Sequence, residues 1–312
     1  MGNKDNATKN FIEKNRIFAD VFNFFIYDGE QVIKPDTLQP LDTTEIILNQ
    51  KLPINKNSLK KYRDIIKQWA IKRDDKATYV LLAVENQSDI NYAMPVRTML
   101  YDALRYSNQI ENIANENIKN KKLKSSNEFL SGLLKTDKIM PIMTVIINFS
   151  GKIWNAPKTL KQMFHDFDKR FLKFIKDYEI NLIDPVAIGK DNFDKFITEL
   201  REVLLYIKYS KDKVNLYNVV KNDKGFESVP NEAVSLINTL TGSNLEINEM
   251  KEESNMCEAI EGIKEDGRKE GEFKALFRLI EEGIITIKQA AKSLKISEKA
   301  FKKQLSEYGY II

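Results

Sequence analysis

Residues 77–87, ATYVLLAVENQ, form an almost unbroken apolar run that ends on a glutamate, an asparagine and a glutamine. Its β-branched and aromatic content reads as a buried strand. A similar run, KYRDIIKQWAI at 61–71, precedes it, and the charged segment KRDDK between the two is suited to a hairpin turn. The two runs are therefore expected to pair antiparallel. Side chains alternate across a strand, so Glu85 and Gln87 are expected on one face. An ionised carboxylate at the end of such a strand is expensive to bury unless something compensates its charge.

Around this hairpin the patterning is helical. Phe11, Phe18, Phe22 and Phe25 recur at helical offsets, which predicts one amphipathic helix over 8–27, halted near Asp28-Gly29. The stretch to about residue 60 carries Pro35, Pro40 and Pro53 and reads as loop with at most short elements. A helix is expected from Tyr92 onward, with Pro95 in its first turn. After a polar segment at 114–137, MPIMTVIINFS is the best candidate for a central strand. YEINLIDP (178–185) suits an edge strand, and 191–209 and 231–240 are helical in pattern. This order predicts an α/β fold with a sheet flanked by helices. The 312 residues, 42% of them hydrophobic, suffice for one large domain and a smaller part. The division is placed at 1–246 and 247–312, the latter a charge-rich helical tail interrupted by Gly262, Gly267 and Gly271. The opening residues have no apolar leader and no run approaches the roughly 18 residues of a membrane span, so a cytoplasmic chain with no membrane partner is expected.

The single cysteine, Cys257, excludes a disulfide framework, and the single histidine, His165, argues against histidine-based metal sites and catalytic triads. Catalysis would have to rest on carboxylates. A net charge of +4 does not by itself indicate a nucleic-acid partner. Asp64 on the first run, with Glu85 and Gln87 on the second, can converge at one sheet edge. A hard divalent cation, Mg²⁺ or alternatively Mn²⁺, is the simplest compensation for Glu85, because it takes one or two carboxylates together with water and phosphate oxygens. The plainer alternative has Asp64 capping a turn or pairing with Lys67, and Glu85 and Gln87 as solvated residues at a strand end.

The segments YRDIIKQW, YVLLAVENQSDINYAMPVRTMLYDALRY and MPIMTVIINFSGKIW, with IFADVFNFF ahead of them, resemble the recombination-promoting nuclease and transposase-like family, a branch of the PD-(D/E)XK superfamily. The resemblance spans roughly residues 12–160. It implies a mixed central sheet flanked by helices in a restriction-endonuclease-like core, and Mg²⁺-dependent endonucleolytic cleavage of DNA linked to recombination or transposition. It also implies Asp64 and Glu85 as metal ligands. Gln87 stands where the superfamily usually has lysine, so an amide that can position water or substrate replaces a cation. The superfamily often adds an acidic residue from its first helix, for which Asp20 is preferred to Glu13.

Arg97, Tyr101 and Arg105 recur every four residues and form one helical stripe, suited either to a DNA backbone or to packing on the domain. Lys119–Lys124 reads as a solvated loop and Trp154 as a packing anchor. The final segment, ITIKQAAKSLKISEKAFKKQL, has Thr286 and Gln289 in capping-box spacing and Ser297 as a second N-cap. It looks like a helix-turn-helix unit that would present Lys299, Lys302 and Lys303 to DNA. The alternative is a helical hairpin for packing or for assembly into a homo-oligomer. Three readings follow: an endonuclease, a catalytically silent DNA-binding protein on the same fold, and an assembly or regulatory protein.

Overall fold

The computed structural model describes residues 3–41, 65–73, 76–166 and 168–307. The phenylalanine-spaced N-terminal segment folds as two helices, α1 (Asn3–Ile12) and α2 (Asn15–Tyr27), where one continuous helix was expected. Lys14 at the junction is extended, with ψ 128°. The ammonium of Lys67, buried in the sheet, donates to the Glu13 carbonyl and to Asn15 Oδ1 at this break. A partner distant in sequence thus satisfies a helix end that would otherwise be left open. α2 stops where expected, with Asp28 at φ 54° and Gly29 at φ 97°. A Cβ on Gly29 would lie 2.9 Å from the Lys195 carbonyl oxygen, so this left-handed turn needs glycine for space as well as for backbone angle.

Five strands follow in one sheet: β1 (Leu38–Pro40), β2 (Ile65–Arg73), β3 (Lys76–Gln87), β4 (Ile142–Asn148) and β5 (Asn181–Ile183), in that spatial order. The β1–β2 and β2–β3 pairs are antiparallel, and β3–β4 and β4–β5 are parallel. The expected hairpin is present, with Ile65 opposite Val84 and Arg73 opposite Lys76. β3 occupies the middle of the sheet with β4 beside it, and β5 takes the edge. A parallel neighbour requires a crossover. It is made by α3 (Met94–Lys119), which has Pro95 in its first turn, followed by the short capped helix α4 (Ser126–Ser131).

Beyond β4 come α5 (Lys169–Leu172), then after β5 the helices α6 (Leu200–Tyr209) and α7 (Lys213–Asn222). The two-residue strand β6 (Val229–Pro230) leads into α8 (Asn231–Thr241) and pairs antiparallel with β7 (Glu253–Ser254). The main core joins one sheet face, including Ile65, Trp69, Leu82, Val84, Val145 and Ile147, to residues of α1, α2, α6, α7 and α8. On the opposite face, Ile66, Leu81 and Ala83 form one small cluster, and Met94, Ile146, Trp154, Ala156 and Ile180 form another. Trp154 is the packing anchor that its position suggested.

The tail begins with α9 (Met256–Glu281), one continuous helix that accommodates all three glycines, followed by α10 (Ile287–Ser293) and α11 (Glu298–Glu307). Met256 and Ile260 belong to the main core, so packing carries the first body past residue 247 into α9. Phe273, Ala290, Ala291, Phe301 and Leu305 form a separate core. The end of α9 therefore supplies the third helix of a three-helix unit. Thr286 and Gln289 make the expected capping box, and Ser297 Oγ accepts from Ala300 N at 3.1 Å. Among the described residues no helix is long and apolar enough to cross a membrane.

Candidate functional site

Glu85 is 2% exposed, deep in β3, and alternation places it with Leu81, Ala83 and Gln87 on the face covered by α3. Gln87 is also buried and its amide donates to the Asn86 carbonyl at 3.2 Å. In the parallel register Glu85 lies beside Ile146 and Gln87 beside Asn148. The sequence reading therefore placed these two side chains together correctly, and the solvated strand-end alternative fails for both. Asp64 lies outside the described residues. The residue after it, Ile65, opens the described part of β2 opposite Val84.

From the first turns of α3, Arg97 brings its guanidinium to 3.9 Å from Glu85 Oε2. The same guanidinium donates weakly to Tyr101 Oη at 3.4 Å and stands 5.9 Å from the centre of that ring. A cation from the chain thus lies within range of the buried carboxylate. This amends the expectation that a metal ion is the simplest compensation. Sequence spacing contained the signal, since the Arg97 stripe follows the glutamate directly, but spacing alone leaves open whether the stripe faces DNA or the domain.

That stripe faces the protein. Tyr101 and Arg105 are 5% and 8% exposed, and Met94, Pro95, Thr98 and Asp102 are buried with them. These positions form the face of α3 that packs on the sheet, so Tyr101 and Arg105 do not offer a solvent-facing phosphate track. The reason is geometric: one face of an amphipathic crossover helix must cover the strands it crosses. Only Arg97, its side chain 29% exposed, retains access to solvent.

Two polar networks that sequence reasoning missed brace this face. Asp102 Oδ1 accepts from Thr144 Oγ1 at 2.9 Å, and its other oxygen accepts from the Tyr178 hydroxyl. At the end of β4, Asn148 Nδ2 donates to Asp184 Oδ1 at 3.1 Å, while Asp184 Oδ2 accepts from Trp154 N at 2.7 Å. Buried polar groups with such partners hold side chains to one geometry. They fix α3 and the loops on either side of β5 against β4, the parallel neighbour of the strand that carries Glu85.

Asp20 does not join Glu85 and Gln87. It lies on α2, which packs on the other face of the sheet, and its carboxylate accepts from Ile197 N, Thr198 N and Thr198 Oγ1. Burial pushes its pKa up and outweighs the lowering effect of these hydrogen bonds. The carboxylate is committed to capping the chain ahead of α6. Among the described residues no group of three His, Cys, Asp or Glu side chains is placed to hold a metal ion. Lys299, Lys302 and Lys303 are exposed on α11. Comparison of the chain with protein-family models, with curated proteins and with solved structures returned no match.

Proposed function

We propose that the chain is a divalent-metal-dependent DNA endonuclease of the recombination- or transposition-associated kind, hydrolysing phosphodiester bonds. The observation that carries this reading is Glu85: a carboxylate buried in the central strand, sharing its face with Gln87 and approached by Arg97. A mixed central sheet flanked by helices is also what the family resemblance implies. The donor chemistry fits a hard cation, since Glu85 offers a carboxylate and Gln87 an amide oxygen, with Asp64 as the proposed second carboxylate. Such an ion, Mg²⁺ or Mn²⁺, supplies Lewis acidity and activation of water when bound. The remaining work belongs to the chain. Gln87 orients water or substrate, and Arg97 supplies the positive charge that an amide in place of lysine lacks. Lys299, Lys302 and Lys303 add salt-dependent affinity for the DNA backbone.

One observation favours a second reading. Arg97 already offers Glu85 a counter-charge at 3.9 Å, so the carboxylate does not require a metal ion in order to be buried, and with Gln87 this suits a catalytically silent DNA-binding protein. The two separate in a nicking assay on supercoiled plasmid with Mg²⁺ or Mn²⁺, with and without chelator. The nuclease nicks only with the ion, and Glu85→Gln lowers the rate by ~10²-fold or more. Plasmid binding without nicking under every ion condition supports the silent reading. Nicking that survives both chelator and Glu85→Gln removes the proposed centre.

A further inference from the structure

Between β4 and β5 the chain leaves the sheet as an arm closed by a narrow neck. Ile180 N donates to the Lys158 carbonyl and Leu160 N to the Tyr178 carbonyl, each at 2.9 Å, with Thr159 and Glu179 bridged between them. Tyr178 in this neck donates to Asp102 of α3, and Ile180 packs with Met94, so the arm stands on the helix that carries Arg97. Among the described residues beyond the neck, Phe171 is 61% and Phe174 85% exposed. Exposed cations Lys169, Arg170, Lys173 and Lys176 surround them. Of the neighbouring acids, Asp168 is turned to Arg170 at 2.6 Å and Asp177 to the amides of Lys161 and Tyr178, while Asp166 and Glu179 are exposed.

We infer that this arm grips unpaired nucleotides of a single-stranded nucleic acid, with Phe171 and Phe174 stacking on bases and Lys169, Lys173 and Lys176 following the phosphates. Two exposed rings three residues apart among cations match a partner that offers planar apolar faces on an anionic backbone. The four-residue helix at the centre of the arm is too short to form the amphipathic face with which a longer helix lies on a lipid surface. That the strand is DNA rests on the nuclease reading.

Fluorescence anisotropy of the full chain tests the inference, using a labelled oligothymidine and a blunt duplex of equal length in the presence of chelator. Phe171→Ala with Phe174→Ala should weaken single-strand binding by ~10²-fold and leave duplex binding nearly unchanged. Lys169→Gln, Lys173→Gln and Lys176→Gln together should reduce the salt slope by about 2. Because both rings are exposed, circular dichroism should show an unaltered fold. Unchanged single-strand affinity in the Phe variant, equal weakening on the duplex, or no single-strand binding by the native chain overturns the proposal. So does an arm whose Phe substitutions abolish binding only to phosphatidylserine vesicles. Chelation removes cleavage from the readout. A protein that never nicks DNA but binds strands through these rings sinks the nuclease reading and keeps this one, whereas an active nuclease indifferent to both rings does the reverse.

Discussion

The 3.9 Å between Arg97 and Glu85 is too long for a hydrogen bond, yet in a buried setting the guanidinium still feels the carboxylate strongly. The same arginine can therefore compete with a bound cation and assist the reaction. Arg97→Gln should cut nicking by ~10²-fold while metal affinity, followed by calorimetry, holds or tightens; Arg97→Lys should restore part of the rate. At Asp20 the titration has a definite sign. Its folded pKa is raised above the ordinary 3.8, so the folded state holds the proton to higher pH than the unfolded state, and stability falls as pH rises from about 3.8 through the raised value. Asp20→Asn should lose this dependence, and its stability deficit against the native chain, measured by urea unfolding, should shrink as pH rises through that window. Asp20 also shows where reading by residue fails. Its partner Ile197 lies 177 positions away, and no local pattern reports such a contact. Glu85 was legible because a carboxylate after six apolar residues breaks its own context.

Strands and their partners were readable for a related reason. The runs that became β3 and β4 keep an apolar character that two-sided burial uses, and β2 pairs antiparallel with β3 with Arg73 opposite Lys76. The break between α1 and α2 was not readable, because Lys67 makes it tolerable from across the fold. Lys67 also links β2 to the segment that enters β1, since Asn15, which it contacts, donates to the Pro35 and Leu38 carbonyls at 2.9 and 3.2 Å. Lys67→Met would leave the Glu13 carbonyl and Asn15 Oδ1 without this donor. A loss of about 1–3 kcal/mol in urea unfolding, with the sheet retained by circular dichroism, is the expected outcome. The α3 stripe illustrates the remaining ambiguity: four-residue spacing defines a face, and only the position of the sheet decides which way it points.

For the whole molecule, the division between body and tail matters most for where the chain can be cut. A chain ending at Asn248 would lose β7 and the burial of Met256, whose side chain is wholly enclosed, at a cost of about 2–5 kcal/mol. One ending near Lys264 keeps both and should melt close to the intact protein, with DNA affinity reduced and its salt dependence flattened by the loss of Lys299, Lys302 and Lys303. Between the two cores, α9 runs through solvent from Gly262 to Glu272, where a Cβ on any of its three glycines would meet nothing within 4 Å. That span is about 16 Å of helix, and every residue in it turns whatever follows by about 100°. The bridge therefore sets a phase as well as a distance: two added residues would swing the basic helix to the far side of the axis, while seven would return it to within about 20° of its original heading, one step further from the sheet.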